Sequence, residues 1–173
     1  MNGGDVNLSI DHIVNSLEKL TEIHRDLLKI SLRKTQAITD GLADQLQKVL
    51  QEEQIKIQHL IQAESKREKL VNQWFLKEDS LEKERTITNM LSLLLDNEKK
   101  QRLEKVTIEL TKAITQLKNQ EQLNEALIQQ SMHFIQTSLN MLKPSIQSMN
   151  YDRQQEKDKQ KPLQDQSIFD SRA

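Results

Sequence analysis

The chain has 173 residues, 35% hydrophobic and 29% charged, with 25 Lys and Arg against 26 Asp and Glu for a net charge of −1. That balance leaves no basic footprint for nucleic acid or anionic lipid, and the absence of cysteine excludes disulfides and thiolate metal sites. No apolar run approaches the roughly 20 residues that cross a bilayer, and "MNGGDVNLSI" lacks the basic and apolar regions of a secretory leader, so the expectation is a soluble, cytoplasmic domain with a tail.

Glycine occurs only at positions 3, 4 and 41 and proline only at 144 and 162. Between Gly41 and Pro144, therefore, helix can run wherever the pattern supports it. After a flexible N-terminus over 1–8, Ile10, Ile13, Leu17, Leu20, Ile23, Leu27 and Ile30 step by three or four and predict an amphipathic helix over 9–38. Ser9 is placed as its N-cap, with Leu8 and Ile13 as a hydrophobic staple. "ITDGLADQL" interrupts the pattern. There Thr39 or Asp40 is expected to cap a second helix, over 41–76, and Gly41 to loosen the join. That helix carries Leu42, Leu46, Val49, Ile57, Leu60, Ile61, Leu70, Val71, Trp74 and Phe75.

In "LKEDSLEKERT", Asp79 and Glu82 have the spacing of a capping box, and "TITNMLSLLL" predicts a short apolar helix over 86–95. From Asp96 a long helix, 97–143, carries Leu103, Val106, Leu110, Ile114 and Leu117 on a clean stripe. Pro144 is expected to stop it, since its ring and missing N–H break a helix interior. Residues 144–173, rich in Gln, Lys and Asp and without period, read as a flexible, disordered tail. The fold class is all-α: an antiparallel bundle of long, coiled-coil-like helices, with no internal repeat.

The chemical inventory is short. His12, His24, His59 and His133 are preceded at three residues by Ser9, Thr21, Lys56 and Gln130, so none completes the Glu-x-x-His pair of a di-iron bundle. There is no H-E-x-x-H, no glycine-rich phosphate loop and no nucleophile elbow. Carboxylate pairs such as Glu64 and Glu68 lie in charged stretches that read as solvated surface. The sequence points to a protein that binds rather than catalyses, with no metal and no cofactor.

The second half of the long helix, "LNEALIQQSMHFIQTSLNML", departs from a narrow seam. Asn124 and Ser131 occupy seam positions, while Leu127, Ile128, Met132, Phe134, Ile135, Leu139, Met141 and Leu142 widen the apolar surface beyond what a two-stranded seam requires. Two readings fit: a wider packing interface inside the chain's own bundle, or a face that receives a partner helix through anchors at i, i+3, i+4 and i+7. The chain's one tyrosine, Tyr151, falls in the predicted tail, where a ring has no internal pocket and is either idle or a portable anchor.

These stretches resemble the FlgN family of flagellar type III export chaperones. "ISLRKTQAITDGLADQLQKVLQEEQIKIQHL" is similar to the family's opening helical hairpin. "LNEALIQQSMHFIQTSLNMLKP" is similar to its C-terminal helix, with Asn124 and Leu127 matching an Asn-x-x-Leu element. Tyr151 stands where relatives carry a tyrosine, and "SIFDSRA" resembles the end of Gram-positive members. The chain departs from the family at Glu121, where a second Asn is frequent.

The resemblance implies a cytosolic chaperone that holds the C-terminal helical segment of hook-associated proteins, prevents early polymerisation and delivers them to the cytoplasmic domain of the export gate. It implies a client face drawn from Asn124, Leu127, Ile128, Ser131, Met132, Phe134, Ile135, Leu139 and Leu142. Tyr151 is the implied contact to the gate, and Phe169 is a candidate short docking motif. The alternative is a structural coiled coil whose stripe serves only self-association. Neither reading calls for nucleic acid or membrane insertion.

Overall fold

A computed structural model describes residues 3–77 and 84–159, with 3–9, 77 and 143–159 described as backbone alone. Four helices follow in order, α1 (Gly3–Thr39), α2 (Ala43–Lys77), α3 (Ile87–Leu93) and α4 (Asn97–Lys159), and no strand occurs among the described residues. The chain divides into two compact units, Met1–Ile128 and Gln129–Ala173. The all-α class expected from the periodicity is what the chain forms.

In the first unit α1 and α2 run antiparallel. Asp26 meets Lys56 while, further along α1, Arg33 meets Glu52 and Lys34 meets Glu53 earlier in α2. The first part of α4 lies parallel to α1, with Asp11 joined to Arg102 and Lys34 to Glu121. The predicted stripe of α1 is the core: all seven of its members, from Ile10 to Ile30, are buried. Around its N-terminal half close Val71, Trp74 and Phe75 of α2, Met90 of α3, and Leu103 and Val106 of α4. Each such side chain contributes about 1.5–3 kcal/mol by leaving water. Trp74 and Phe75 pack edge to face with ring centroids 5.0 Å apart, a geometry that suits the opposed charges of ring face and ring edge.

The helix ends differ from expectation in ways the backbone explains. α1 begins at Gly3, so Ser9 lies inside it rather than capping it. Thr39 and Asp40 close α1 rather than open α2: Gly41 takes the left-handed conformation at φ 66°. From there the Gly41 N–H reaches the Ile38 carbonyl (3.2 Å) and the Leu42 N–H reaches Ala37 (2.9 Å). This pair of bonds is a Schellman stop, and it makes the join tight where a loose one was expected. The Asp79–Glu82 pair lies outside the described residues. α3 is capped by Thr86, whose hydroxyl accepts from the Asn89 N–H at 3.2 Å. Asp96 caps α4, its Oδ1 accepting from the N–H groups of Glu98 (3.0 Å) and Lys99 (3.3 Å).

α4 does not stop at Pro144. It continues to Lys159, so Tyr151 lies on helical backbone. A proline's φ is itself helical; the ring removes one backbone bond and crowds the preceding turn, at a cost of about 3 kcal/mol or more. The following residues, without glycine as far as Lys159, allow the helix to resume. Residues 160–173, with Phe169 and the rest of the expected tail, lie outside the described residues.

Candidate functional site

Towards the C-terminal end of α1 the first unit changes from apolar to polar. Ile30 and Ala37 continue the stripe, but Ser31 and Lys34 between them are also buried. From α4, Asn124 enters this region with 1% of its surface exposed. Its Nδ2 donates to both the carbonyl and the Oγ of Ser31, each at 3.0 Å. Its Oδ1 accepts from the Thr35 hydroxyl at 2.6 Å, and Thr35 in turn accepts from Gln120 Nε2 at 2.6 Å. A carbonyl can only accept, so the contact to Ser31 fixes which way the Asn124 amide points. Three of the amide's four hydrogen-bonding positions are filled, all from α1.

Beside it, Lys34 extends its ammonium between Glu53 of α2 and Glu121 of α4, 2.6 Å from each. Burial favours the neutral amine, but the hydrogen bonds to Glu121 and Glu53 outweigh it and hold Lys34 above the ordinary lysine pKa. Glu121 therefore serves as a counter-ion in a triad with Lys34 and Glu53.

The second unit has a different character. Met132, Ile135, Leu139 and Leu142 recur at three and four along α4 and form one row on its surface, exposed by 61, 57, 55 and 56%. Phe134 and Met141, one heptad apart, form a second row and are exposed by 72 and 74%. Ser131 is exposed as well, and His133 Nδ1 lies 3.1 Å from the Thr137 hydroxyl. Residues 126–142 include no Asp, Glu, Lys or Arg, in a chain that is 29% charged. Contiguous exposed apolar surface without charges is uncommon on chains that stand alone in water.

The predicted site residues thus fall into two places. Ser131, Met132, Phe134, Ile135, Leu139 and Leu142 share the exposed surface of the second unit. Leu127 (half-buried) and Ile128 (exposed) close the first unit, and Asn124 is inside it. Sequence reasoning missed Ser31, Lys34 and Thr35, although one signal was present: Lys34 interrupts the apolar stripe between Ile30 and Ala37.

A cavity of about 420 Å³ opens between α1 and α2 beside His12, Lys19, Lys66 and Leu70. Ser16, the one hydroxyl lining it, donates to the Ile13 carbonyl at 2.7 Å. Among the described residues no group of three or more His, Asp or Glu is placed to hold a metal ion, and no helix is long and apolar enough to cross a membrane.

Comparison with known proteins agrees with the architecture. The family model described as FlgN protein matches residues 1–159. The uncharacterized protein YvyG of Bacillus subtilis (strain 168) is 28% identical over 166 residues, which span 96% of this chain and 100% of that relative. No solved structure matches.

Proposed function

The chain belongs to the FlgN family, whose members serve as flagellar export chaperones, and from that premise we propose that it is a cytoplasmic chaperone for hook-associated proteins. It holds the C-terminal helical segment of the client against the second unit's exposed surface of α4. Coverage of that segment prevents early polymerisation, and the chaperone delivers the client to the cytoplasmic domain of the export gate. The observation that carries this reading is the double row formed by Met132, Ile135, Leu139 and Leu142 with Phe134 and Met141, wide enough for an amphipathic helix. Burying about four such anchors contributes roughly 6–12 kcal/mol before ordering costs. Much of that is lost in ordering the client, so the complex stays releasable. Tyr151, on the helical backbone beyond Pro144, is the residue that engages the gate, one ring contributing on the order of 2 kcal/mol in an apolar dimple.

The test is direct binding of the purified protein to hook-associated proteins encoded in the same genome, measured by titration calorimetry. The expected result is one-to-one capture that is lost when the client's C-terminal segment is removed. Capture that survives its removal, or a concentration-dependent dimer with no affinity for any hook-associated protein, would overturn the assignment.

A further inference from the structure

We infer that Asn124, through Ser31 and Thr35, is a positioning residue for client capture: it locks the register of α4 on α1 and does not touch the client. The inference rests on the chaperone reading above and adds to it a device for keeping the client face available.

The apolar repeat of α4 leaves its register open. Leu103, Val106, Leu110, Ala113 and Leu117 step by three and four along the side of α4 that is buried or half-buried. A displacement of α4 by one turn replaces most of them with one another: Val106 by Leu110, Leu110 by Ala113 or Ile114, Ala113 by Leu117. Such a stripe defines a face and leaves the register along it weakly specified. Asn124 is where the ambiguity ends. A one-turn slip that draws the C-terminal part of α4 inwards would bring Leu127 or Ile128 into its place. An apolar seam would welcome either side chain, and part of the proposed client face would be buried in the chain's own bundle.

Three hydrogen bonds oppose that slip. Asn124, at 1% exposure, is bonded to the Ser31 carbonyl, the Ser31 hydroxyl and the Thr35 hydroxyl. Neither Leu127 nor Ile128 can replace a single one of them, and a slip would leave the hydroxyls of Ser31 and Thr35 facing hydrocarbon. A lone buried Asn is a known means of fixing register in paired helices at a cost in stability. Here its effect is to keep Leu127 and Ile128, which belong to the proposed client face, out of that position. Three of its four hydrogen-bonding positions are bonded to α1 and 1% of its surface is exposed, so the amide has little to offer a client.

Asn124→Leu, Thr35→Val, their double variant and Phe134→Asp are compared in the full chain for Tm and for affinity to a purified hook-associated protein. The chain has no cysteine, so cysteines introduced at Gln36 and Gln122 carry spin labels that read the α1–α4 register directly. Asn124→Leu is expected to lower Tm, because the Ser31 and Thr35 hydroxyls lose their partner, and to weaken affinity about tenfold or more, with the single label distance splitting in two. Thr35→Val should weaken affinity as well, and the double variant should be no worse than Asn124→Leu alone. Loss of affinity together with a split label distance is a result that a residue without a register role cannot give. If Asn124→Leu loses affinity with one label distance and Thr35→Val loses none, Asn124 touches the client and the inference is wrong. If no seam variant weakens capture while Phe134→Asp abolishes it, the positioning role falls and the chaperone reading stands. If Phe134→Asp also binds normally, the assigned client face fails and takes this inference with it.

Discussion

Lys34 Nζ on α1 lies 2.6 Å from Glu121 Oε2 on α4, across 87 residues of sequence. The same ammonium is 2.6 Å from Glu53 Oε1 on α2, so one cation with 8% of its side chain exposed ties together the three long segments of the first unit. Lys34→Met should lower stability by about 1–3 kcal/mol, because two neighbouring carboxylates lose their shared counter-ion. The loss falls at the low end of what breaking a buried pair costs, since Glu121 still reaches solvent with 37% of its side chain. Adding Glu121→Leu to Lys34→Met should recover part of it. Urea unfolding followed by circular dichroism measures both.

The same triad sets the alkaline limit. Lys34 sits above the ordinary lysine value when folded, so its contribution is complete below a pH of about 10.4 and is lost as pH rises through the higher folded value. Asp26, held down by hydrogen bonds from Lys56 and Lys29, works in the opposite direction, as does the capping Asp96, held down by Lys99. Their contribution is present above a pH of about 4 and is lost as pH falls through their lower folded values. Urea midpoints should therefore form a plateau between the two limits. Lys34→Met should reduce the alkaline fall and leave the acid one in place.

Gly41 isolates a backbone effect. A Cβ added there meets nothing within 4 Å, yet φ is +66°. Gly41→Ala should cost about 1–2 kcal/mol from left-handed strain alone, and Gly41→Asn less, since Asn tolerates that region. Equal unfolding midpoints for the glycine and alanine forms would show that the turn has rearranged.

On the client face, Phe134→Asp places a charge among apolar side chains that are more than half exposed. Affinity for a hook-associated protein should fall by about 30-fold or more. Helix content by circular dichroism should hold, because Phe134, 72% exposed, supports no core. Unchanged affinity with an intact fold would place the client elsewhere.

Tyr151→Ala separates two activities. Client affinity should stay within about threefold, under 1 kcal/mol, while binding to the gate's cytoplasmic domain weakens and junction assembly slows. An alanine variant that binds the gate as well as the parent does would leave the tyrosine without that role.

What the sequence disclosed follows from what periodicity can carry. The α1 stripe from Ile10 to Ile30 was legible because burial on one face of a helix repeats every three or four residues, and all seven positions are buried. Gly41 was legible as a break, but not the direction of its bonds: Thr39 and Asp40 have side chains that suit a cap, and the Schellman geometry left them closing α1. Pro144 was overread, because a helix can accept the loss of one bond when its neighbours favour it. Asn124 looked like a polar residue on a binding face since its partner, Ser31, stands 93 residues earlier. Periodicity gives the face of a residue and says nothing of what lies opposite.

The uncharged run from 126 to 142 governs timing. A partner approaching it is not steered by electrostatic attraction, so the encounter rate should stay near the roughly 10⁵–10⁶ M⁻¹s⁻¹ of neutral surfaces and change little with ionic strength. Right and wrong partners would then arrive equally often. Discrimination would fall to how long each remains, so residence time, not arrival, becomes the quantity on which selection at this surface can act.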